Sequence, residues 1–330
     1  MTIMAFKFHF LQIAHEPQTW GDLDHDLALQ MRLRYLQSEG PHEIVDTPEE
    51  ADIILFWDPH QDSQIITASR LRQHPLVHRF PEKVFTVSGE DYPLGFLPGL
   101  YCSLSKRLFQ PDRHKTWFYH RTPNPACYQV VDNNQRAPGK LASFTGANSH
   151  ALRSSLFNHQ EQFRKWGIDV RETPRNRFNS NPGDPVLKRE WLHYVDTILD
   201  AKFSLCPRGN GPASYRLQET MALGRVPVLI SDDWPLVDGL DWGAFTIRIG
   251  ENEIASLPDV LTEYEPRWRE MGEQAREVYQ NTLSGCRFVE NVVDRIAGIY
   301  HSRTHDERDY IAKWPEMIEK ELRYAVLGKY

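Results

Sequence analysis

Two short apolar runs near the middle of the chain, KFSLC (202–206) and VPVLI (226–230), have the length and residue types of buried strands, with about twenty residues between them. Parallel neighbours need a crossover of a dozen or more residues, usually through a helix, whereas an antiparallel pair can close with two. A helix fits the interval. Ser214 is a credible N-cap, Leu217 and Met221 lie four apart on a core-facing stripe, and Gly224 sits where a C′ glycine ends a helix. The segment therefore reads as strand, loop, helix and strand of a parallel sheet covered on both faces.

The same alternation recurs on both sides of it. In the first half FKFHFLQIA (6–14), a helical stretch near 26–38, ADIILFWD (51–58) and KVFTVSG (83–89) follow one another. Between about 120 and 140 the chain turns polar and proline-bearing, as a linker would. LASFTG (141–146) then reads as a strand and residues 149–166 as a helix with Leu152, Leu156 and Phe163 near one face. Residues 189–201 form a second amphipathic pattern with Trp191, Val195, Ile198 and Leu199 near one stripe, and 258–300 and the tail from about 307 are mostly helical. At 330 residues the chain exceeds one typical domain. The expectation is an α/β protein of two facing Rossmann-like domains with a cleft between them: an acceptor domain over 1–135, a donor domain over 136–300, and a helical tail over 301–330 packing back on the first.

Composition narrows the classes. Hydrophobic residues at 40% and charged residues at 25% supply material for real cores. A net charge of -7 argues against a broad nucleic-acid footprint. Cys102, Cys127, Cys206 and Cys286 lie far apart with no C-x-x-C pair, which suggests neither a zinc site nor a disulfide framework and fits a reducing compartment. The amino terminus lacks a signal-peptide h-region, and no stretch approaches the roughly 20 apolar residues of a membrane span. A cytoplasmic protein is expected, with attachment to a membrane surface left open.

The loop PRGNGPA (207–213) lies at the carboxyl end of one strand and the amino end of a helix, where open α/β sheets place their ligands. Free N–H groups and the positive end of the helix dipole favour an anion there, and Gly209 and Gly211 let the backbone come close to it. Arg208 and Arg216 flank the loop with forked donors suited to phosphate oxygens. The implied cargo is a phosphate or diphosphate. Glu219, three residues after Arg216, pairs with it either as a nucleotide-shaped couple, carboxylate to ribose and cation to phosphate, or as a solvated ion pair contributing about 0.2–0.5 kcal/mol. Asp232 and Asp233 follow the second strand and serve equally well as sugar contacts or as turn and cap residues. No G-K-[ST] is present for a Walker A loop, and G-N-G-P-A-S departs from the dinucleotide fingerprint at its third glycine.

FSLCPRGNGPASYRLQETMALGRVPVLISDDW resembles the signature segment of the exostosin-type glycosyltransferases, with Thr220 where the family usually carries alanine. Weaker likeness extends to TPEEADIILFWDP (47–59), VFTVSGEDYP (84–93) and LASFTGANSHALRSSLF (141–157), the last resembling the family's A-x-F-x-G and arginine-bearing helix. The resemblance implies an inverting glycosyltransferase without a required metal or other cofactor, moving a sugar from a nucleotide-diphosphate sugar, a UDP-sugar by first choice, to a hydroxyl of an oligosaccharide, polysaccharide or glycolipid. The implied donor-binding set is Arg208, Gly209, Asn210, Gly211, Ser214, Tyr215, Arg216, Glu219, Asp232 and Asp233, with the two arginines on the diphosphate and Glu219 on the ribose. A base must take the acceptor's proton. Asp91 is nominated, with Glu90 second, because both follow a predicted strand of the first domain, although G-E-D-Y-P is also an ordinary turn. His60 and Asp62 are nominated as acceptor contacts. Trp57, Trp234 and Trp242 could stack on sugar rings or fill a core. The competing readings are a fucosyltransferase-like enzyme using a GDP-sugar, whose class lacks the P-R-G loop, a non-catalytic nucleotide- or sugar-binding protein, and a dehydrogenase.

Overall fold

The computed structural model describes residues 4–13, 27–58, 64–120, 124–129, 137–174 and 184–326. The chain forms two compact units, the first made of Met1–Phe118, Pro235–Asp238 and Gly285–Tyr330, the second of Tyr119–Trp234 and Gly239–Ser284. The chain crosses to the second unit near 119 and returns at 285, each about fifteen residues before the boundary of 135 or 300 expected from the sequence.

In the first unit, β1 (Lys7–Gln12), α1 (Leu27–Leu36), β2 (Glu43–Ile44), β3 (Ile53–Asp58), α2 (Gln64–Gln73), α3 (Pro75–Arg79), β4 (Val84–Ser88), β5 (Gly99–Tyr101) and β6 (His114–Thr116) build a six-stranded sheet of order β2-β1-β3-β4-β5-β6. Every pairing in it is parallel. β3 and β4 are buried along their whole length, which is why they read as continuous apolar runs rather than alternating ones.

In the second unit, β7 (Lys140–Gly146), α4 (Ala151–Asn158), α5 (Gln160–Arg164), β8 (Ile168–Glu172), α6 (Pro185–Leu199), β9 (Ala201–Pro207), α7 (Tyr215–Ala222), β10 (Val226–Ile230), α8 (Trp242–Phe245), β11 (Ile247–Ile249), α9 (Leu257–Tyr264) and α10 (Trp268–Thr282) form a second parallel sheet. Its order is β11-β10-β9-β7-β8. β9 and β10 are parallel neighbours, with Val226 opposite Phe203 and Ile230 opposite Pro207. Because β8 is added on one side of β7 and β9 on the other, the strand order reverses between β7 and β9. Open α/β sheets bind ligands outside the carboxyl ends at such a point.

Local chemistry accounts for the departures from the sequence pattern. The helix expected over 149–166 breaks at His159, whose backbone N–H caps α4 and whose ring nitrogen Nδ1 meets the Ser155 carbonyl at 2.8 Å. α6 begins earlier than 189, because the Asp184 carboxylate accepts from the Val186 N–H and Pro185 suits the first turn. α7 ends at Gly224 with φ +64°, as its sequence predicts. Residues Arg216 to Ala222 are all buried, so α7 has no solvated face over that stretch.

The chain closes on the first unit with α11 (Arg287–Ser302) and α12 (Glu307–Val326). Trp314 is fully buried with its ring 4.9 Å from that of Phe96. Arg113 and Glu307, both without solvent exposure, form a bidentate pair at 3.0 and 2.8 Å, and Arg113 Nη2 also donates to the Phe96 carbonyl. Breaking such a pair strands a buried charge at a cost of about 3–5 kcal/mol. Among the described residues no helix is long and apolar enough to cross a membrane.

Candidate functional site

The carboxyl ends of β7 and β9 are tied together by a side chain from α4. Arg153 Nε donates to the Arg208 carbonyl at 2.9 Å, Nη2 to the Pro207 carbonyl at 3.2 Å and Nη1 to the Ala147 carbonyl at 3.1 Å. These bonds draw the carbonyls of the β9 loop toward α4. A Cβ at Gly209 would stand 3.0 Å from Arg153 Nη2 and 3.3 Å from Ser149 Oγ, so the glycine leaves room for the clamp as well as for a ligand. His150 caps α4 by accepting from the Leu152 N–H, and its pKa is lowered by burial first and by the Arg208 charge second.

Arg216 lies across the same reversal point. It is 6% exposed, its Nη2 donates to the Thr145 carbonyl, and its guanidinium packs over the rings of Phe144 at 4.8 Å and Tyr194 at 4.7 Å. Its Nη1 is buried without a hydrogen-bond partner among the described residues, and so is Arg208 Nε. A buried guanidinium N–H left unpaired is expensive, and an anion would satisfy it. Glu219 does not form the solvated ion pair that spacing allowed. It is 3% exposed and accepts a 2.5 Å hydrogen bond from the Tyr194 hydroxyl. Burial raises its pKa, opposed by the Tyr194 hydrogen bond and by Arg216. Burial likewise pushes the Tyr194 phenol well above its ordinary value, so it stays a donor.

The rest of the sequence-derived donor set falls into distinct environments. Arg208 extends the β9–β10 ladder by donating its N–H to the Ile230 carbonyl, and its guanidinium stands 3.6 Å from Glu251. Ser214 occupies the N-cap of α7 in extended backbone, but its hydroxyl makes no capping bond. Tyr215 stacks on Tyr119 with ring centroids 3.8 Å apart. Gly211 is buried and Asn210 exposed. Asp232 exchanges hydrogen bonds with Glu251, accepting from its N–H at 3.1 Å and donating its own N–H at 3.0 Å, while Asp233 is half-buried.

In the first unit, Glu90 and Asp91 follow β4 as expected. Glu90 is 5% exposed, lies 3.5 Å from the Thr67 hydroxyl and lines a cavity of about 20 Å³, room for roughly one water. Asp91 is half-buried. Ser88 bridges this turn to the end of β3, donating to Asp58 at 3.0 Å and accepting from the Glu90 N–H at 3.3 Å. His60 and Asp62 lie outside the described residues. Trp57, Trp234 and Trp242 are 0%, 1% and 9% exposed and belong to cores, which leaves their ring faces unavailable for sugars.

Sequence reasoning missed the working parts contributed from elsewhere: Arg153, Tyr194, Thr145 and Glu251. Arg153 was visible only as the arginine of an arginine-bearing helix. Tyr194 sits beside Val195 on the α6 stripe and shows no polar signal at all.

Residues 122–264 match the family model described as the Exostosin GT47 domain. An exostosin-1 homolog of Caenorhabditis elegans is 35% identical over 106 residues, which is 31% of this chain and 28% of that protein. A probable glycosyltransferase of Arabidopsis thaliana is 37% identical over 115 residues, 34% of this chain and 21% of that protein. The chain thus matches less than a third of the length of either. A solved α1,3-fucosyltransferase structure aligns over 92% of each chain at 12% identity with a TM-score of 0.40.

Proposed function

Because residues 122–264 carry an exostosin GT47 domain, we propose that the protein is an inverting glycosyltransferase that takes a sugar from a UDP-sugar to a glycan hydroxyl. The observation that carries the proposal is the buried Nη1 of Arg216, which has no hydrogen-bond partner among the described residues while its Nη2 donates to Thr145 of β7; Arg208 follows β9. In this reading both guanidiniums and the positive amino end of α7, whose N-cap Ser214 makes no side-chain cap bond, hold the diphosphate, and Glu219 accepts from the ribose. As the bond from the anomeric carbon to the diphosphate oxygen breaks, negative charge grows on the leaving group, and cations already in place stabilise it without reorganising. The acceptor oxygen attacks the opposite face of that carbon, and its proton passes to Asp91. Glu90 takes second place because it is buried and engaged near Thr67.

Relatives named probable glucuronosyltransferase and probable beta-1,4-xylosyltransferase support sugar transfer as the chemistry. Four cysteines held as thiols, three of them buried, support a reducing compartment such as the cytoplasm. The test is isothermal titration of the protein with UDP, GDP, CDP and their sugar adducts, in the presence and absence of EDTA, beside Arg216→Ala and Arg216→Lys with their folding checked by circular dichroism. UDP should bind independently of metal, and folded Arg216→Ala should not bind it. A preference for GDP would replace the proposed donor by a GDP-sugar. Full binding by Arg216→Ala, or no diphosphate bound by the native chain, would overturn the assignment.

A further inference from the structure

A cavity of about 410 Å³ opens in the second unit between α6 and the carboxyl ends of β7 and β8, within the range of about 300–1,000 Å³ that small-molecule sites occupy. Its walls include Thr145, Thr173, Leu187, Glu190, Trp191 and Tyr194. Two of these also belong to the arginine site. The Thr145 carbonyl receives Arg216 Nη2, and the Tyr194 ring lies under the Arg216 guanidinium while its hydroxyl bonds Glu219. A ligand whose charged end rests on Arg216 can therefore run past Tyr194 into the cavity without losing contact with protein.

We propose that this cavity receives the nucleoside of the donor, with the base against Trp191. The proposal rests on the donor-site reading above. Trp191 Nε1 is a buried donor with no hydrogen-bond partner among the described residues, and it supplies both an aromatic face and an N–H. An aromatic heterocycle bearing ring or carbonyl acceptors matches both features. A lipid tail would leave that N–H and the threonine hydroxyls unpaired. The charge on the wall is mixed, with Arg189 and His193 beside Glu190, so a second phosphate is the competing occupant that the pyrophosphate titration separates. Thr173, held in place by its N–H to the Gly146 carbonyl at 3.0 Å, offers a hydroxyl on the β8 side of the pocket. Trp191 and Thr173 are then the residues that choose among bases.

Val186 tests the assignment without threatening the fold, because it lines the cavity from the rim at 52% exposure. Inorganic pyrophosphate and the nucleoside diphosphates UDP, GDP and CDP are titrated into the native chain, Val186→Trp and Trp191→Phe. Stacking of one base contributes on the order of 1–3 kcal/mol, so the native chain should prefer its nucleoside diphosphate over pyrophosphate by about fivefold or more. Val186→Trp should bring that ligand down to the pyrophosphate level while pyrophosphate binding stays unchanged. Trp191→Phe should keep part of the preference and lose the part owed to the N–H. Undiminished preference in Val186→Trp, or a native chain that binds pyrophosphate and nucleoside diphosphates equally, overturns the cavity assignment alone. A native chain that binds neither overturns the donor-site reading on which it stands.

Discussion

Replacing Arg153 by methionine keeps the aliphatic stem and removes the guanidinium that joins β7 to the β9 loop. Three hydrogen bonds disappear, to the carbonyls of Ala147, Pro207 and Arg208. Hydrogen bonds to a charged group are each worth about 1.5–3 kcal/mol when well buried. Arg153 is half-buried, so water recovers part of that value, and about 1 kcal/mol per bond gives a loss of about 3 kcal/mol. For a unit of this size that corresponds to a melting point lower by roughly 6–12 °C. Function should suffer separately, because Arg208 rides on the loop whose carbonyls are released, and a displacement of about 1 Å at such a site costs up to a hundredfold in rate. Scanning calorimetry reads the first effect and titration with UDP the second. Arg153→Lys should behave like the methionine variant, since one ammonium cannot reach three carbonyls in the fixed fork of a guanidinium. A melting point and a UDP affinity both equal to those of the native chain would refute the clamp. A lowered melting point with unchanged affinity would refute its positioning of the loop.

Two further outcomes follow from the same unit. Glu219 has a raised pKa, chiefly through burial, so the folded state holds its proton more tightly than the unfolded chain does; its favourable contribution is complete below the unfolded value and is lost as pH rises through the folded one. Urea unfolding of Glu219→Gln should therefore gain stability relative to the native chain between pH 4.5 and neutrality, while UDP binding is lost, and stability curves that stay parallel across that range would sink the argument. At Gly272 of α10 an added Cβ would stand 2.5 Å from the Gly224 carbonyl, which ends α7, and backbone cannot move aside as a side chain can. Gly272→Ala should cost about 1–3 kcal/mol or more by overpacking, read by thermal melting, and an unchanged melt would show that the helix shifts freely.

Much of the loop between β9 and α7 was legible because its signals are local. KFSLC and VPVLI declared themselves by length and apolarity, Gly224 by its place after the last periodic residue, and Arg208 and Arg216 by flanking a glycine-bearing turn at a helix start. The environment of Arg216 and Glu219 was not legible. Their spacing on α7 allowed a solvated pair, and only the packing around α7 shows both buried, one on the face of the Tyr194 ring and one on its hydroxyl. The split at His159 was hidden because Leu152, Leu156 and Phe163 share a helical period whether or not the backbone breaks between them. The tryptophans were ambiguous for a related reason, since a ring that can stack on a sugar can equally fill a core.

The sequence by itself determined the α/β class, the parallel β9–α7–β10 crossover and the glycine- and arginine-bearing turn of residues 207–216, because strand period, helix caps and turn residues act over a few positions along the chain. Tertiary structure alone decided which strands became neighbours and so which distant groups serve the loop. Arg153 reaches Arg208 across 55 residues, Arg216 reaches Thr145 across 71, and Tyr194 reaches Glu219 across 25. Those meetings exist because the strand order reverses between β7 and β9, and strand order is set by burial of whole sheet faces rather than by any short stretch of residues.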